Sequence, residues 1–435
     1  MQLKSDAESL RRRLIAASCA LLTASAARGQ EISKLLTEVE NTDWHLDSAL
    51  AYYHENGRVM AIEPLVNLSR EYGDGETLGL NFTFDSLSGS SPNGALPSRA
   101  AQTFAGPSAK SLSTARRLYT TDPGQLPADP HYSDQRVALG ADWQLPLDRL
   151  TRANLGGKVS YEDDFLSASL NASIERDFNQ KNTTLSFGVY DENDLLHPIG
   201  GAPLPGSDYL LFEKTGHKSK NGVGALLGAT QVMNRRWLTE LNLSVDRFTG
   251  YLNDPYKIIS VIDGSGATTG YVYESRPDER SRRSAYLENR VGWDQASAAL
   301  SLRYMSDDWG VHSETAQLRT RLWLGQKSHY LEPTLRWYHQ TAADFYRPWI
   351  SSSAGQSTSY ASSDTRLGAF RALTYGVKYG MQLDERTGRS GSEFSIRAEY
   401  YQQTVDNGVG GPGALQGLDL YPALKAVLVQ LAFSY

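Results

Sequence analysis

Cysteine is nearly missing: Cys19 is the only one among 435 residues. A lone thiol excludes an intrachain disulfide, a thiolate metal cage and a CxxCH haem attachment. Long apolar runs are missing as well. Beyond the N-terminal segment no stretch approaches about 18 consecutive apolar residues, so none reads as a transmembrane helix. Basic blocks are absent and the formal net charge is −6, which leaves no footprint for nucleic acid. There is no GxSxG, no HExxH and no glycine-rich phosphate loop at a strand–helix junction. The eight histidines are scattered. No catalytic residue, cofactor or metal site is therefore expected, and the chain does not read as an enzyme.

What the N-terminus does contain sets the compartment. Arg11, Arg12 and Arg13 precede the short apolar run LIAASCALLTASAA, and small residues follow near Ala27 and Gly29. That is the pattern of a cleaved secretory signal over residues 1–29. Cys19 lies inside the run with Ala16 before it, which does not suit a lipid-anchor signal. Residues 30–43 then form a lead-in segment, with Ile32, Leu35, Leu36 and Val39 at helical spacing.

From residue 44 onward the period changes to two. In LGLNFTF, Leu78, Leu80, Phe82 and Phe84 share one face, with Gly79, Asn81 and Thr83 opposite. In RVALGADWQL the apolar face is Val137, Leu139, Ala141, Trp143 and Leu145. FLSASLNASIE repeats the pattern with Leu166, Leu170 and Ile174. Aromatic usage is skewed to the amphipathic kinds, 24 Tyr and 8 Trp beside 12 Phe, as in the girdles of membrane barrels. Connections alternate in length too. Short turns at 72–76, 147–153, 178–182, 234–236, 294–297, 325–328 and 384–391 interleave with long ones at 86–133, 191–220, 250–283, 342–364 and 404–424. Tight connections at 55–58, 161–164 and 306–310 complete the long-loop side. The fold class is all-β, a transmembrane antiparallel up-and-down barrel over residues 44–435 with about 16 strands, 14 or 18 being the neighbouring counts. A soluble β-sandwich would account for the alternation but not for the signal, the loop asymmetry and the aromatic ending together.

That ending is KAVLVQLAFSY, where Val427, Val429, Leu431, Phe433 and Tyr435 alternate to the last residue. It resembles the signal by which barrel-assembly machinery recognises outer-membrane substrates. The resemblance extends along the chain. The stretches SSPNGALPS, RDFNQKNTTLS, NDPYKIISVID, YESRPDERSRRS, YMSDDWG, YLEPTLRWYHQ and ADFYRPWI resemble those of the bacterial family called domain of unknown function 3570. The resemblance implies a Gram-negative outer-membrane barrel with no assigned activity, spanning residues 44–435. It also implies neighbourhood with a flavin transferase and thioredoxin-like proteins, hence a periplasmic redox partner. It brings no established functional residues.

The chemistry worth following lies on the polar faces of the second half. Arg303, Arg319, Arg321, Arg336, Lys378 and Arg397 fall there with Glu332 and Glu399. An Arg or Lys facing lipid at mid-membrane costs about 2–4 kcal/mol, so these side chains are expected to line the lumen. Two readings stay open: a salt-bridged ladder filling a narrow lumen, or a basic wall along a pore. Arg247, Arg371 and Lys425 instead fall in the lipid-facing register at strand ends, where lipopolysaccharide phosphates would partner them. Asp163–Asp164 and Asp307–Asp308 sit at hairpin tips; Asp is a turn former, and that reading outweighs calcium binding. Ser265–Thr268 (SGAT) resembles a flavin-attachment tetrad at Thr268, although a glycine hairpin tip explains it more simply. The expected function is a pore or conduit across the outer membrane; the alternative is an occluded, partner-binding barrel of an envelope redox assembly.

Overall fold

Alternation of apolar and polar residues gives every strand two different faces, and a closed sheet lets one face look outward and the other inward. A computed structural model describes residues 44–435 except 107–117, 211–213, 326, 355–359, 384–391, 406–409 and 422. The signal segment, the lead-in and the 384–391 turn expected from the sequence lie outside the described residues.

The chain forms β1 (Trp44–Glu55), β2 (Met60–Glu71), β3 (Thr77–Ser88), β4 (Gln102–Ala105), β5 (Leu118–Thr121), β6 (Ser133–Pro146), β7 (Thr151–Tyr161) and β8 (Phe165–Phe178). There follow β9 (Thr183–Leu196), β10 (Ala202–Pro203), β11 (Lys214–Thr215), β12 (Lys218–Asn234), β13 (Trp237–Gly250), β14 (Ile258–Ile262), β15 (Thr268–Tyr273) and β16 (Glu279–Gly292). The last are β17 (Ala296–Asp307), β18 (His312–Leu324), β19 (His329–Gln340), β20 (Trp349–Ser351), β21 (Phe370–Gln382), β22 (Glu393–Val405) and β23 (Leu424–Ser434). Sixteen of them close one barrel in the order β1-β2-β3-β6-β7-β8-β9-β12-β13-β16-β17-β18-β19-β21-β22-β23. Every neighbour pair is antiparallel, and β23 returns to pair with β1 from Asp47↔Ser434 to Glu55↔Ala426. The expected strand number holds. No helix among the described residues is long and apolar enough to cross a membrane.

The outward face is a belt of exposed apolar side chains, among them Leu139, Leu170, Leu227, Leu243, Leu300 and Val377. Exposed aromatics flank it. Trp143, Phe178, Trp237, Trp293 and Tyr379 lie toward the short turns, while Tyr52, Tyr161, Tyr304 and Trp337 lie toward the longer loops.

The longer loops are not open coil. β4 pairs with β5, β10 with β11, and β15-β14-β20 make a three-stranded sheet whose β14–β20 pairing is parallel. Beside a cluster of Trp309, Val311, Ala343, Phe345 and Leu367, two more apolar clusters hold this cap together: Ala95, Phe104, Tyr119, Ile258 and Tyr273 in one, Leu96, Ile262, Leu415 and Leu420 in the other. The connection between β3 and β6 threads through both. Its Leu96 amide donates to Ser260 Oγ at 3.0 Å, and Arg99 Nη2 donates to the Gln416 carbonyl at 2.9 Å. One long loop thereby reaches connections from other parts of the ring.

Candidate functional site: the charged inner wall and its cap

Register fixes which side chains share the inner face. Arg303 stands opposite Thr315, which stands opposite Tyr338; Gln317 stands opposite Arg336; Glu332 opposite Lys378; and Lys378 opposite Arg397. All lie on the face opposite the exposed apolar belt. Four of the six basic residues are held by carboxylates. Arg319 lies 3.4 Å from Glu288, Arg321 2.8 Å from Glu332, Lys378 3.4 Å from Glu393, and Arg397 3.5 Å from Glu399. Arg321 also lies 4.1 Å above the ring centre of Tyr330, which crosses Gly380, where a Cβ would have no room. Among the described residues, Arg303 and Arg336 make no ion pair.

Glu288 and Glu393 belong to this ladder, although the sequence gives no reason to single them out. Both are visible only once β16 and β22 are in register with their neighbours. Carboxylates are more numerous across the barrel. Asp85, Asp142, Glu175, Asp177, Glu192 and Asp246 share the inner face of β3 to β13, where Arg136 pairs with Asp85, Arg152 with Glu175 and Lys220 with Asp194. The inner wall is thus segregated by charge.

Two cavities open off the basic side. One of about 510 Å³ at the short-turn end is lined by Arg236, Trp237, Arg290, Arg319 and Arg321. The other, about 280 Å³, lies against Tyr53, Arg336, Glu399, Tyr401, Leu424 and Leu428.

Above the wall, the cap encloses its own ionic cluster. Glu274 and Asp364 are almost fully buried, and Arg276 joins them at 2.8 Å and 2.9 Å. Arg366 reaches both Asp364 and Asp254. Burial pushes the Glu274 carboxyl up, to about 6, against the pull of Arg276. For Asp364 burial acts in the same direction, but Lys257, Arg366 and Arg276 outweigh it and hold the carboxyl well below the usual range. Breaking such a buried set by removing one partner is costly, which makes it a clasp between the β13–β16 and β19–β21 connections.

The remaining candidates fall outside the wall. Asp307 Oδ1 accepts from the Trp309 and Val311 amides, the turn role expected of it. Asp164 lies with Asp134 and Glu162 in a group whose carboxylate oxygens fall within 4.8 Å of one another. Burial, then the charge of Asp134, pushes the Glu162 carboxyl up to about 7. The SGAT segment is the tip of the β14–β15 hairpin, where Asp263 Oδ1 accepts from the Ser265 and Ala267 amides and Gly266 takes φ +79°. Arg247, Arg371 and Lys425 all sit near the longer-loop ends of their strands, in register with the outward belt, and Arg247 pairs with Glu279 at 2.8 Å. Val427, Val429 and Leu431 face outward on β23. Phe433, however, is buried with Leu46 and Val66 at the closing seam.

A family model described as "Protein of unknown function (DUF3570)" matches residues 11–435. No curated protein matches the chain. Among solved structures, a bacterial polysaccharide outer membrane secretin aligns over 90% of this chain and 98% of its own, with 9% identity and a TM-score of 0.44. The outer membrane protein OpdK from Pseudomonas aeruginosa aligns over 90% and 98%, with 11% identity and a TM-score of 0.38. The ferric enterobactin receptor PfeA aligns over 90% of this chain and 60% of its own, with 10% identity and a TM-score of 0.41.

Proposed function

The chain belongs to the DUF3570 family, proteins of unknown function, and for this member we propose an outer-membrane conduit with a basic wall in its lumen. One observation carries the reading: a closed sixteen-stranded barrel with an exposed apolar belt outside and ionised side chains inside. Closure satisfies every strand edge, and only closed barrels and helices can cross a bilayer without orphaned backbone groups. A belt of Leu, Val and aromatic residues this wide has no place in water. Charged side chains on the opposite face imply solvent there, since unpaired charge is not sustained in a dry interior.

Ion selectivity separates an active wall from a passive ladder. Arg319, Arg321, Lys378 and Arg397 are paired with carboxylates, so of these six basic residues Arg303 and Arg336 are the ones whose charge is left uncompensated toward permeant ions. Purified protein in planar bilayers should conduct. Changing Arg303 and Arg336 together to Glu should move the reversal potential toward cations, more than the same change at Arg319 and Arg321. The difference should be large at 0.01 M salt, where the screening length is about 30 Å, and fade at 1 M, where it is about 3 Å. A properly folded protein that passes no current would defeat the conduit reading. It would favour the alternative, a barrel closed by its clasped cap that serves as a partner-binding element of an envelope redox assembly. Retention of a periplasmic redox protein through purification would support that alternative.

A further inference from the structure

We propose that the inner wall beneath the cap binds a small organic monoacid, with its carboxylate on Arg336 and its apolar body on β23. The proposal rests on the lumen being accessible, as the conduit reading holds. Arg336 and Arg303 have no carboxylate partner among the described residues, whereas Arg319, Arg321, Lys378 and Arg397 each have one within 3.5 Å. The two arginines lie two strands and one row apart by register. With strands about 4.8 Å apart and a rise of about 3.3 Å per residue, their backbones are within about 12 Å. Side chains as long as arginine's span that gap from both sides, so one anion can feel both charges. A guanidinium presents its donors as a planar fork that matches a carboxylate, and it stays charged at all working pH values.

What distinguishes this cavity from a mere anion spot is its other wall. Leu424, Ala426 and Leu428 of β23 line it, although the inner face is polar along most of the sheet. The rings of Tyr53 and Tyr401 add further apolar surface. Their hydroxyl protons are already committed. Tyr53 donates to Glu55 at 2.8 Å, Tyr401 to Gln403 at 2.9 Å, and neighbouring Tyr338 to Gln340 at 2.7 Å. The guanidinium of Arg336 is therefore the donor left for a ligand. A bare inorganic anion would leave the leucines facing water, while a neutral apolar molecule would leave the arginine unanswered. At about 280 Å³ the space sits just below the range of about 300–1,000 Å³ that drug-sized ligands occupy, so the ligand is small.

Glu399 decides the charge of the ligand. It belongs to the lining, and its side chain folds over Gly376, where a Cβ would come within 3.0 Å of its Cγ. Arg397 holds it from the side at 3.5 Å. A second carboxylate on the ligand would meet Glu399, so one negative charge is favoured over two.

Benzoate, benzyl alcohol and phthalate are the probes, titrated calorimetrically into the full folded chain in detergent. Benzoate should bind saturably, and phthalate and benzyl alcohol each roughly tenfold more weakly or not at all. Loss of a charged hydrogen bond predicts that Arg336→Gln weakens benzoate roughly tenfold or more. Arg303→Gln should weaken it less. Arg136→Gln, on the acidic side, should stay within about twofold of wild type. Heat-modifiable gel mobility confirms that each variant is folded, and Arg336→Lys keeps the charge while losing the fork, so it should bind with intermediate strength. No saturable benzoate binding, undiminished binding in Arg336→Gln, or equal binding of benzyl alcohol would each overturn the proposal. Conductance is measured separately: a conducting protein that ignores benzoate sinks this inference alone, and a benzoate binder that never conducts sinks the conduit alone.

Discussion

Glu162 shows how single side chains at the longer-loop end carry a pH dependence. It lies in the tight connection between β7 and β8, close to Asp134 and Asp164. Burial raises its carboxyl first and the neighbouring Asp134 charge raises it further, to about 7 against an ordinary value of 4.5. A folded-state value above the unfolded one means the native chain binds the proton more tightly. The stability tied to this group is therefore fully present below about pH 4.5 and is lost as pH rises through 7. The unfolding midpoint in detergent should fall between pH 5 and pH 8, and Glu162→Gln should flatten that fall. A variant with the wild-type pH profile would show that Glu162 does not carry it. The same scale sets the limit on what the sequence reveals of the wall. Arg303 and Arg336 look like Arg319 and Arg321 in the alternation pattern, and only the positions of Glu288, Glu332, Glu393 and Glu399 tell free guanidinium from paired. Partnership depends on register and rotamer, which no period encodes.

At the level of elements, alternation together with the spacing of short and long connections gives sixteen barrel strands, as the structure has, but their ends were less legible where charge is concentrated. The stretch 191–220 reads as loop, yet β9 runs on to Leu196 and β12 starts at Lys218. Asp194 and Lys220, which look like loop residues, face inward and pair at 2.8 Å. Likewise β16 begins at Glu279 because Arg280 pairs with Asp307 and Arg282 lies 4.5 Å over the ring of Phe248. Less legible still was the cap. Its central sheet joins β14 to β20 across some ninety residues of chain, and no local pattern announces such a pairing. Its clasp gives a test. Asp364→Ala would leave Arg276 and Arg366 without their shared carboxylate in a buried site, a loss of about 3–5 kcal/mol by precedent. The barrel should keep its heat-modifiable mobility while the 341–369 connection becomes readily cut by added protease and bilayer conductance rises. Unchanged protease resistance would mean the apolar cluster of Trp309, Val311, Ala343, Phe345 and Leu367 holds this connection without the clasp.

For the molecule as a whole, everything turns on one seam. Fifteen strand pairings form between elements that follow one another around the ring, but the sixteenth joins β23 to β1 across the entire chain. It is closed by backbone bonds beyond the strand itself: the Leu46 amide donates to the Tyr435 carbonyl at 2.7 Å, and the Tyr435 amide returns the bond to Leu46 at 2.7 Å. Phe433 packs on Leu46 and Val66, with Leu68 and Tyr435 against them. An open seam would expose two strand edges to lipid, each unpaired backbone group costing several kcal/mol, so closure is close to all-or-none. The terminal aromatics that the sequence suggests as an assembly signal are therefore also structural parts of the last joint, and the two roles can be separated. Removing residues 433–435 strips both. Phe433→Ala with Tyr435 retained keeps the backbone bonds and loses only the packing, a change of about 3–5 kcal/mol for a buried Phe. If the aromatic ending acts mainly by closing the seam, the variant should still reach the outer membrane but lose its heat-modifiable form at a lower temperature than wild type. If it acts mainly as a recognition signal, Phe433→Ala should accumulate unassembled in the periplasm at normal growth temperature, and refold from urea into detergent with near-normal stability. Assembly and stability both equal to wild type in the 433–435 deletion would remove either role from the terminus.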